Sequence, residues 1–505
     1  MALRSRLDSR FAHIKIDAAS SVPKHRQIYA ALRRAILEGR LHVDDALPST
    51  RELAMHLGVS RNTVLVAYEL LLAESYVVSR GGAGTFVARS AVLPPPKPAA
   101  ETVEPRPLSR TADMLRVWRL PGLAAEPRPF RPSSPAFDAF PVAKWSRLIA
   151  KLLRDKSGNW MHASEPLGYL PLRTAIAKHL HSVRSCDCSP DQIVIISGSQ
   201  LGLFMCSMLL MDSEDSAWIE EPGYPRARIT LQMRTTRVIP VPMVGASIDI
   251  EAGKALSPKP RVIYTTPTHQ WPLGTTMPVQ NRLALLELAA KDDVWIVEDD
   301  YDGDLRYDRK TYGTLYGLDE SRRVVHLGTF TKTMHPGLRI GYMVLPTDLV
   351  DSFVAGRQIL DRYPPTLSQA ALAEFMESGA YARHIYEMQT LYLERHSLLC
   401  ELISKRLAGF LHAREAQTGT FTVTELAGGI DDVAVADALK KEGFDSLALS
   451  VCYAGQPAKR GLLLGHAVAR PEEIRKGVAA LERIASKLGS LHLMLSEAPK
   501  AHSEG

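Results

Sequence analysis

Gly328-Thr329-Phe330-Thr331-Lys332-Thr333-Met334-His335-Pro336-Gly337-Leu338-Arg339-Ile340-Gly341 is the stretch on which the fold turns. It follows a short apolar run, residues 324–326, that reads as a strand. A lysine just past a strand, with Thr329 and Thr331 before it and Arg339 seven residues beyond, suits an aldehyde cofactor that carries a phosphate. The amine can form a Schiff base, more readily where nearby cations depress its pKa. The hydroxyls and the guanidinium can hold the phosphate. Taken alone, the string also fits a surface lysine beside a Gly-rich turn.

Four further signals follow apolar runs in the same way. Val294-Trp295-Ile296-Val297-Glu298-Asp299-Asp300-Tyr301 ends in carboxylates and a tyrosine. A carboxylate beside a pyridine nitrogen keeps it protonated and the ring an electron sink, which suits Asp299; Tyr301 can bond the ring's 3′ oxygen. Ile193-Val194-Ile195-Ile196-Ser197-Gly198-Ser199-Gln200 offers backbone N–H groups at a helix start to a phosphate. In Glu221-Pro222-Gly223-Tyr224-Pro225-Arg226, Tyr224 can stack on a flat ring and Arg226 can reach a carboxylate. The fifth is Thr266-Pro267-Thr268-His269-Gln270-Trp271-Pro272-Leu273-Gly274. Each alone is an ordinary loop. Together they stand at strand C-terminal ends, where open α/β sheets place ligands.

Outward from these motifs, residues 133–487 alternate helical stretches with short apolar runs at 192–197, 217–220, 262–265, 294–298, 324–326 and 341–344. That alternation predicts an α/β domain with a mostly parallel sheet. Residues 201–211 predict a buried core helix, too short to span a bilayer. Residues 91–132 are dense in proline and poor in apolar periodicity, and read as a linker. Residues 488–505 read as a polar, frayed tail. The basic start at Arg4, Arg6 and Arg10 is followed by no apolar run of signal-peptide length, and the location expected is the cytoplasm. Five cysteines in 505 residues form no disulfide framework and no metal-ligand spacing; free thiols and no metal site are expected.

The charge is uneven. Of a net +6, the first 90 residues carry +5, with 13 Lys and Arg against 8 Asp and Glu. A small basic module on a nearly neutral body suggests an anionic partner. Residues 27–39 predict a helix ended by Gly39. Pro48-Ser49-Thr50-Arg51-Glu52 opens a second helix, capped by Ser49 or Thr50, and the chain turns at Gly58. A third runs from Arg61 to Glu74 behind Ser60. This is helix-turn-helix order. The third helix exposes Ser60, Arg61, Asn62 and Thr63, residue types that read bases or bond phosphates. Residues 76–87 read as a hairpin around Gly81-Gly82-Ala83-Gly84, with Arg80 as an anchor.

Residues 27–87 resemble the GntR-type winged helix-turn-helix, in "QIYAALRRAILEGRL", "LPSTRELAMHLGVSRNTVLVAYELL" and "YVVSRGGAGTFV". The motifs from Gly198 to Arg339 follow the order of fold-type I aminotransferases. "TPTHQWPLG", "EDDYDGDLRYD" and "GTFTKTMHPGLRIGYMV" resemble the MocR family in particular. The resemblance covers residues 25 to about 470. It implies a winged-helix domain (1–90), a linker (91–132) and an aminotransferase-like domain (133–487) with a smaller C-terminal subdomain. It implies pyridoxal 5′-phosphate on Lys332, with Asp299 at the ring nitrogen, Tyr301 at the 3′ oxygen and Tyr224 stacking. Ser199, Gln200, Thr329, Thr331 and Arg339 would surround the phosphate, and Arg226 would sit in an effector pocket. Arg51 would touch DNA phosphate, Arg61, Asn62 and Thr63 the major groove, and Arg80 and Gly82 would serve the wing. A homodimer is implied as well.

Two departures from that pattern bear on function. Where the family reads like "GLRLGFA", with an arginine for the effector's carboxylate, this chain has Gly461-Leu462-Leu463-Leu464-Gly465-His466-Ala467, so Leu463 takes the arginine's place. Either the effector lacks a carboxylate, as an amine or amino sugar would, or Arg226 alone recognises it; the first reading is preferred. In "MHASEPLGYLPLR", Ala163 stands where a tyrosine would reach the neighbouring subunit's site. The expectation is a transcriptional regulator that binds an operator and senses an amine or amino-acid-like metabolite by aldimine exchange at Lys332, without physiological turnover. A working aminotransferase carrying a DNA-binding module is the alternative.

Overall fold

The computed structural model describes residues 9–496, apart from 12–13, 90–105, 118–125, 156, 163–164 and 311. Ala163 lies outside the described residues. Two compact units divide the chain, residues 1–109 and 110–505.

The first unit packs three helices and a hairpin. The helices are α1 (Lys24–Leu37), α2 (Thr50–Leu57) and α3 (Arg61–Ala73). Ser49 and Glu52 form a capping box at the start of α2, and left-handed Gly58 ends it. The Ser60 hydroxyl caps α3 by accepting from the Thr63 N–H at 3.1 Å. Ile28, Leu32, Leu53, Val64, Ala67 and Leu71 meet in one apolar core. Strands β1 (Val77–Arg80) and β2 (Gly84–Val87) pair antiparallel, Arg80 opposite Gly84, around a turn in which Gly82 has φ +74°.

The second unit is built on an eight-stranded sheet. Its strands are β3 (Ile193–Ile196), β4 (Ser216–Glu221), β5 (Arg237–Val244), β6 (Ser247–Ile248), β7 (Val262–Thr265), β8 (Trp295–Asp300), β9 (Val324–Thr329) and β10 (Gly341–Val344). The order is β3-β10-β9-β8-β7-β4-β5-β6. β9, β8, β7, β4 and β5 run parallel, while β10 lies antiparallel between β3 and β9. All six predicted runs are strands of this sheet, and the expected core helix is Ser199–Leu210. β5 and β6 were not anticipated: Pro240 and Pro242 fall inside β5, and proline argues against a strand.

A smaller four-stranded antiparallel sheet carries the C-terminal part. It comprises β11 (Leu411–Ala413), β12 (Thr422–Leu426), β13 (Leu447–Ala448) and β14 (Gly461–Leu464). Helices Ala380–Arg406, Asp432–Lys441 and Pro471–Ser496 accompany it. Two sequence boundaries need correction. The proline-rich stretch does not stay a linker to residue 132. Phe130 is fully buried in the core of this part, and the Arg131 side chain donates to Asp445 at 2.8 Å. One aromatic anchored by irregular backbone leaves no periodicity to read. The last helix also continues past Lys487 to Ser496. Among the described residues, no helix is long and apolar enough to cross a membrane.

Candidate functional site

Sheet topology gathers the predicted residues. Lys332 follows the C-terminal end of β9, Asp299 lies near the end of β8, Tyr224 follows β4 and Gly198 follows β3. Arg339 precedes its strand, yet joins them because β10 runs antiparallel: Gly341 pairs with both Thr329 and Ile196. The N-terminal end of β10 thus lies on the edge where β9 and its parallel neighbours end.

Lys332 is half-buried, and its Nζ donates to the Ser133 carbonyl at 2.9 Å. Burial pushes the amine down to about 8, against the pull of Asp302 and Asp299 and with help from Arg226. At that value an appreciable fraction of the amine is neutral near physiological pH, and a neutral amine is a competent nucleophile. Asp299 is 5% exposed, and its Oδ2 accepts from the Tyr264 hydroxyl at 2.7 Å. Its Oδ1 is buried with no hydrogen-bond partner among the described residues. Burial raises this carboxyl to about 6, with Asp300 adding to the rise.

The residues expected to surround a phosphate come together as well. The helix Ser199–Leu210 points its N-terminus, opened by Gly198 at φ +101°, toward this edge. A Cβ on Gly198 would stand 3.6 Å from Arg339 Nη1, so glycine leaves the approach clear. Arg339 is exposed, and the Thr329 and Thr331 hydroxyls lie 3.0 Å apart. Unpaired helix N–H groups, hydroxyls and a guanidinium make a cradle for a dianion. The Gln200 side chain donates to Thr230 Oγ1 at 2.5 Å, while its Oε1 is buried with no hydrogen-bond partner among the described residues.

Sequence reading missed the partners of the acidic run. Glu298 is held low by His326 at 3.0 Å despite its burial. Asp300 pairs with Arg184 at 2.6 Å, and Asp304 lies 3.0 Å from His179 and accepts from Tyr381 at 2.8 Å. Asp302 lies 2.7 Å from His269 Nδ1. Glu220, 1% exposed, accepts from Thr265, from Thr266 through both N–H and hydroxyl, and from Gln270, fixing the loop that carries His269. Isolated histidines and arginines far apart in sequence give no signal of these pairs.

The surroundings of Leu463 are apolar. Leu463, fully buried, packs with Trp271, Tyr301, Phe421, Val423 and Leu449, and Tyr224 lies against the cluster. Arg460 ion-pairs with Asp431 and Asp432 and does not reach it. On the first unit, Arg51, Arg61 and Asn62 are exposed, and Arg61 Nε donates to Thr50 Oγ1 at 3.2 Å. Ser60 and Thr63 spend their hydroxyls on each other, 2.8 Å apart, within the cap. Arg80 pairs with Asp44 and lies over the Phe86 ring, 4.7 Å from its centroid.

Fold and site together define a helix-turn-helix module joined to an aminotransferase-type domain. The sequence pattern of the bacterial regulatory proteins of the gntR family matches residues 24–87, and that of aminotransferase class I and II matches residues 136–457. A probable rhizopine catabolism regulatory protein, MocR, of Rhizobium meliloti is 37% identical over 92% of this chain and 94% of its own. The pyridoxine biosynthesis transcriptional regulator PdxR of Corynebacterium glutamicum is 30% identical over 88% of this chain and 92% of its own. The second unit shares its fold with the α-aminoadipate aminotransferase LysN of Thermus thermophilus, with TM-score 0.66 and 24% identity over 72% of this chain and 92% of that one. The chain belongs to the MocR family of helix-turn-helix transcriptional regulators, with a GntR-type DNA-binding domain and a fold-type I aminotransferase domain. Such domains typically depend on pyridoxal 5′-phosphate. The residues present fit that group: a buried carboxylate oxygen without a partner, a lysine of lowered pKa, and an anion cradle on one sheet edge.

Proposed function

We propose that the protein is a pyridoxal 5′-phosphate-dependent regulator of transcription that responds to a small primary amine. The observation that carries this reading is the unpartnered Oδ1 of Asp299, buried on the same sheet edge as Lys332. The bound cofactor supplies an aldehyde that condenses with primary amines. Lys332 anchors it, and Asp299 accepts from the ring nitrogen. Tyr224 covers the ring, Tyr301 meets the 3′ oxygen, and Arg339, Thr329, Thr331 and the helix start at Ser199 and Gln200 hold the phosphate. An amine that takes the place of Lys332 frees that side chain to donate elsewhere, and the equilibrium between domain arrangements shifts by the amine's differential affinity for them.

The apolar setting of Leu463 favours an effector without a carboxylate on that side, because an unpaired charge buried there is costly. Arg226 is the cation left to orient the ligand. Arg51, Arg61, Asn62 and Arg80 bind the operator, with Ser60, Thr63 and Gly82 shaping the reading helix and wing. A homodimer belongs to the same reading, because aminotransferase folds are typically dimeric. The protein works in the cytoplasm, where operator and effector meet.

The test uses cofactor-loaded full-length protein and an operator selected from random duplexes. At least one primary amine should change operator affinity for the wild type and leave Lys332→Ala unresponsive. An identical response in the variant would overturn the reading, and sustained transamination above roughly 1 s⁻¹ would favour an enzyme.

A further inference from the structure

Tyr301, His269 and Asp302 form a buried trio that the cofactor's anchoring residues leave unexplained. β7 and β8 are parallel neighbours, Thr265 opposite Glu298, so the loops that follow them meet. His269 Nδ1 lies 2.7 Å from Asp302 Oδ2 and 2.9 Å from the Tyr301 hydroxyl. The His269 and Asp302 side chains are each 1% exposed. The imidazole is stacked between Tyr301 and Phe421, at centroid distances of 5.6 and 5.4 Å. Its edges are walled by glycine: a Cβ on Gly274 would stand 3.3 Å from Nε2, and one on Gly419 would overlap Cε1. The ring has no room to turn over.

Proton counting fixes the rest. An ionised carboxylate only accepts, so the Nδ1 proton points to Asp302. His269 Nε2 is buried with no partner among the described residues, and a second proton there would be an unmet donor. With Nδ1 protonated, His269 offers Tyr301 no lone pair, and the tyrosine must send its own proton elsewhere.

We propose that His269 and Asp302 are positioning residues that hold the Tyr301 hydroxyl as a donor toward the 3′ oxygen of the bound cofactor. The proposal rests on the cofactor reading above. A donor at that oxygen stabilises its ionised form and lowers the pKa of the Schiff-base linkage to Lys332. The charged groups that face Lys332 are Asp302, Asp299 and Arg226.

The test is an absorbance-monitored pH titration of full-length protein loaded with pyridoxal phosphate. In Asp302→Asn the ionised acceptor that fixes the Nδ1 proton is lost, the ring can take the other tautomer, and its Nδ1 lone pair becomes free to accept from Tyr301. The linkage pKa should rise by about one unit. Tyr301→Phe should give a like rise, and the double variant no more than Tyr301→Phe alone. Simple loss of a negative charge beside Lys332 predicts the opposite sign. A fall, no change, or additive shifts in the double variant would therefore overturn the proposal. If Asp302→Asn does not fold, His269→Ala replaces it. There the Tyr301 hydroxyl loses the ring N–H that keeps its own proton turned toward the cofactor, so the same rise is expected and an unchanged pKa counts against the pair. Absence of any linkage band in the wild type would instead defeat the cofactor reading, so the two failures are distinguishable.

Discussion

The Arg184 guanidinium meets the Asp300 carboxylate at 2.6 Å, with the two side chains only 4% and 6% exposed. Arg184 also donates to Thr268 Oγ1 at 3.0 Å, so it ties the strand bearing Asp299 to the loop bearing His269. Arg184→Met strands a buried carboxylate. It should cost about 3–5 kcal/mol of stability, read by chemical denaturation. Burial raises the Asp300 carboxyl. At about pH 5 that carboxyl more readily takes a proton than at neutral pH, so the deficit should shrink on acidification. A deficit independent of pH would place the damage elsewhere.

On the proposed cofactor reading, Asp299 should give cofactor affinity its own pH dependence. Its carboxyl is raised to about 6 by burial, above the ordinary value of a carboxylate in the unfolded chain. The sign follows: this group's contribution to the stability of cofactor-free protein is lost as pH rises from the ordinary carboxylate range through about 6. Affinity for pyridoxal phosphate should run the other way and climb through the same window, because the ionised oxygen accepts from the ring nitrogen. Asp299→Asn should flatten that step in a fluorescence titration.

On the proposed cofactor reading, Lys332 should set the rate of cofactor capture. With its amine lowered to about 8 by burial, the neutral fraction rises tenfold per pH unit below that value and levels above it. Stopped-flow capture of pyridoxal phosphate should follow that curve. A rate still climbing steeply near pH 10 would mean that the amine is not shifted.

In the first unit, cap and reading head separate cleanly. Ser60→Ala removes the hydroxyl that caps α3 and should cost about 1 kcal/mol of stability. Arg61→Ala should leave stability nearly intact and cost about 1–3 kcal/mol of cognate affinity if it reads a guanine. In a salt series, affinity should fall by about 0.9 log units per log unit of salt for each phosphate contacted. Equal stability losses in both variants would contradict the division.

Much of this was legible in the chain. The six short apolar runs gave the large sheet because buried parallel strands leave continuous hydrophobic stretches. Lys332 and Asp299 could be placed at strand ends because each stands beside such a run. β5 was hidden by its own prolines, and Phe130 by a proline-rich stretch with no period. His269, Asp302, Arg184 and Tyr264 act through contacts between loops distant in sequence, and no spacing rule brings them together. The antiparallel β10, which swings Arg339 to the lysine's edge, was likewise a matter of tertiary pairing.

The central claim is that Lys332 holds pyridoxal phosphate on this sheet edge. The most direct test is the absorbance spectrum of full-length protein saturated with that cofactor, beside Lys332→Ala. The wild type should show the band of a lysine-linked Schiff base, and the variant should lack it while remaining folded. A wild-type spectrum no different from that of free pyridoxal phosphate would contradict the account.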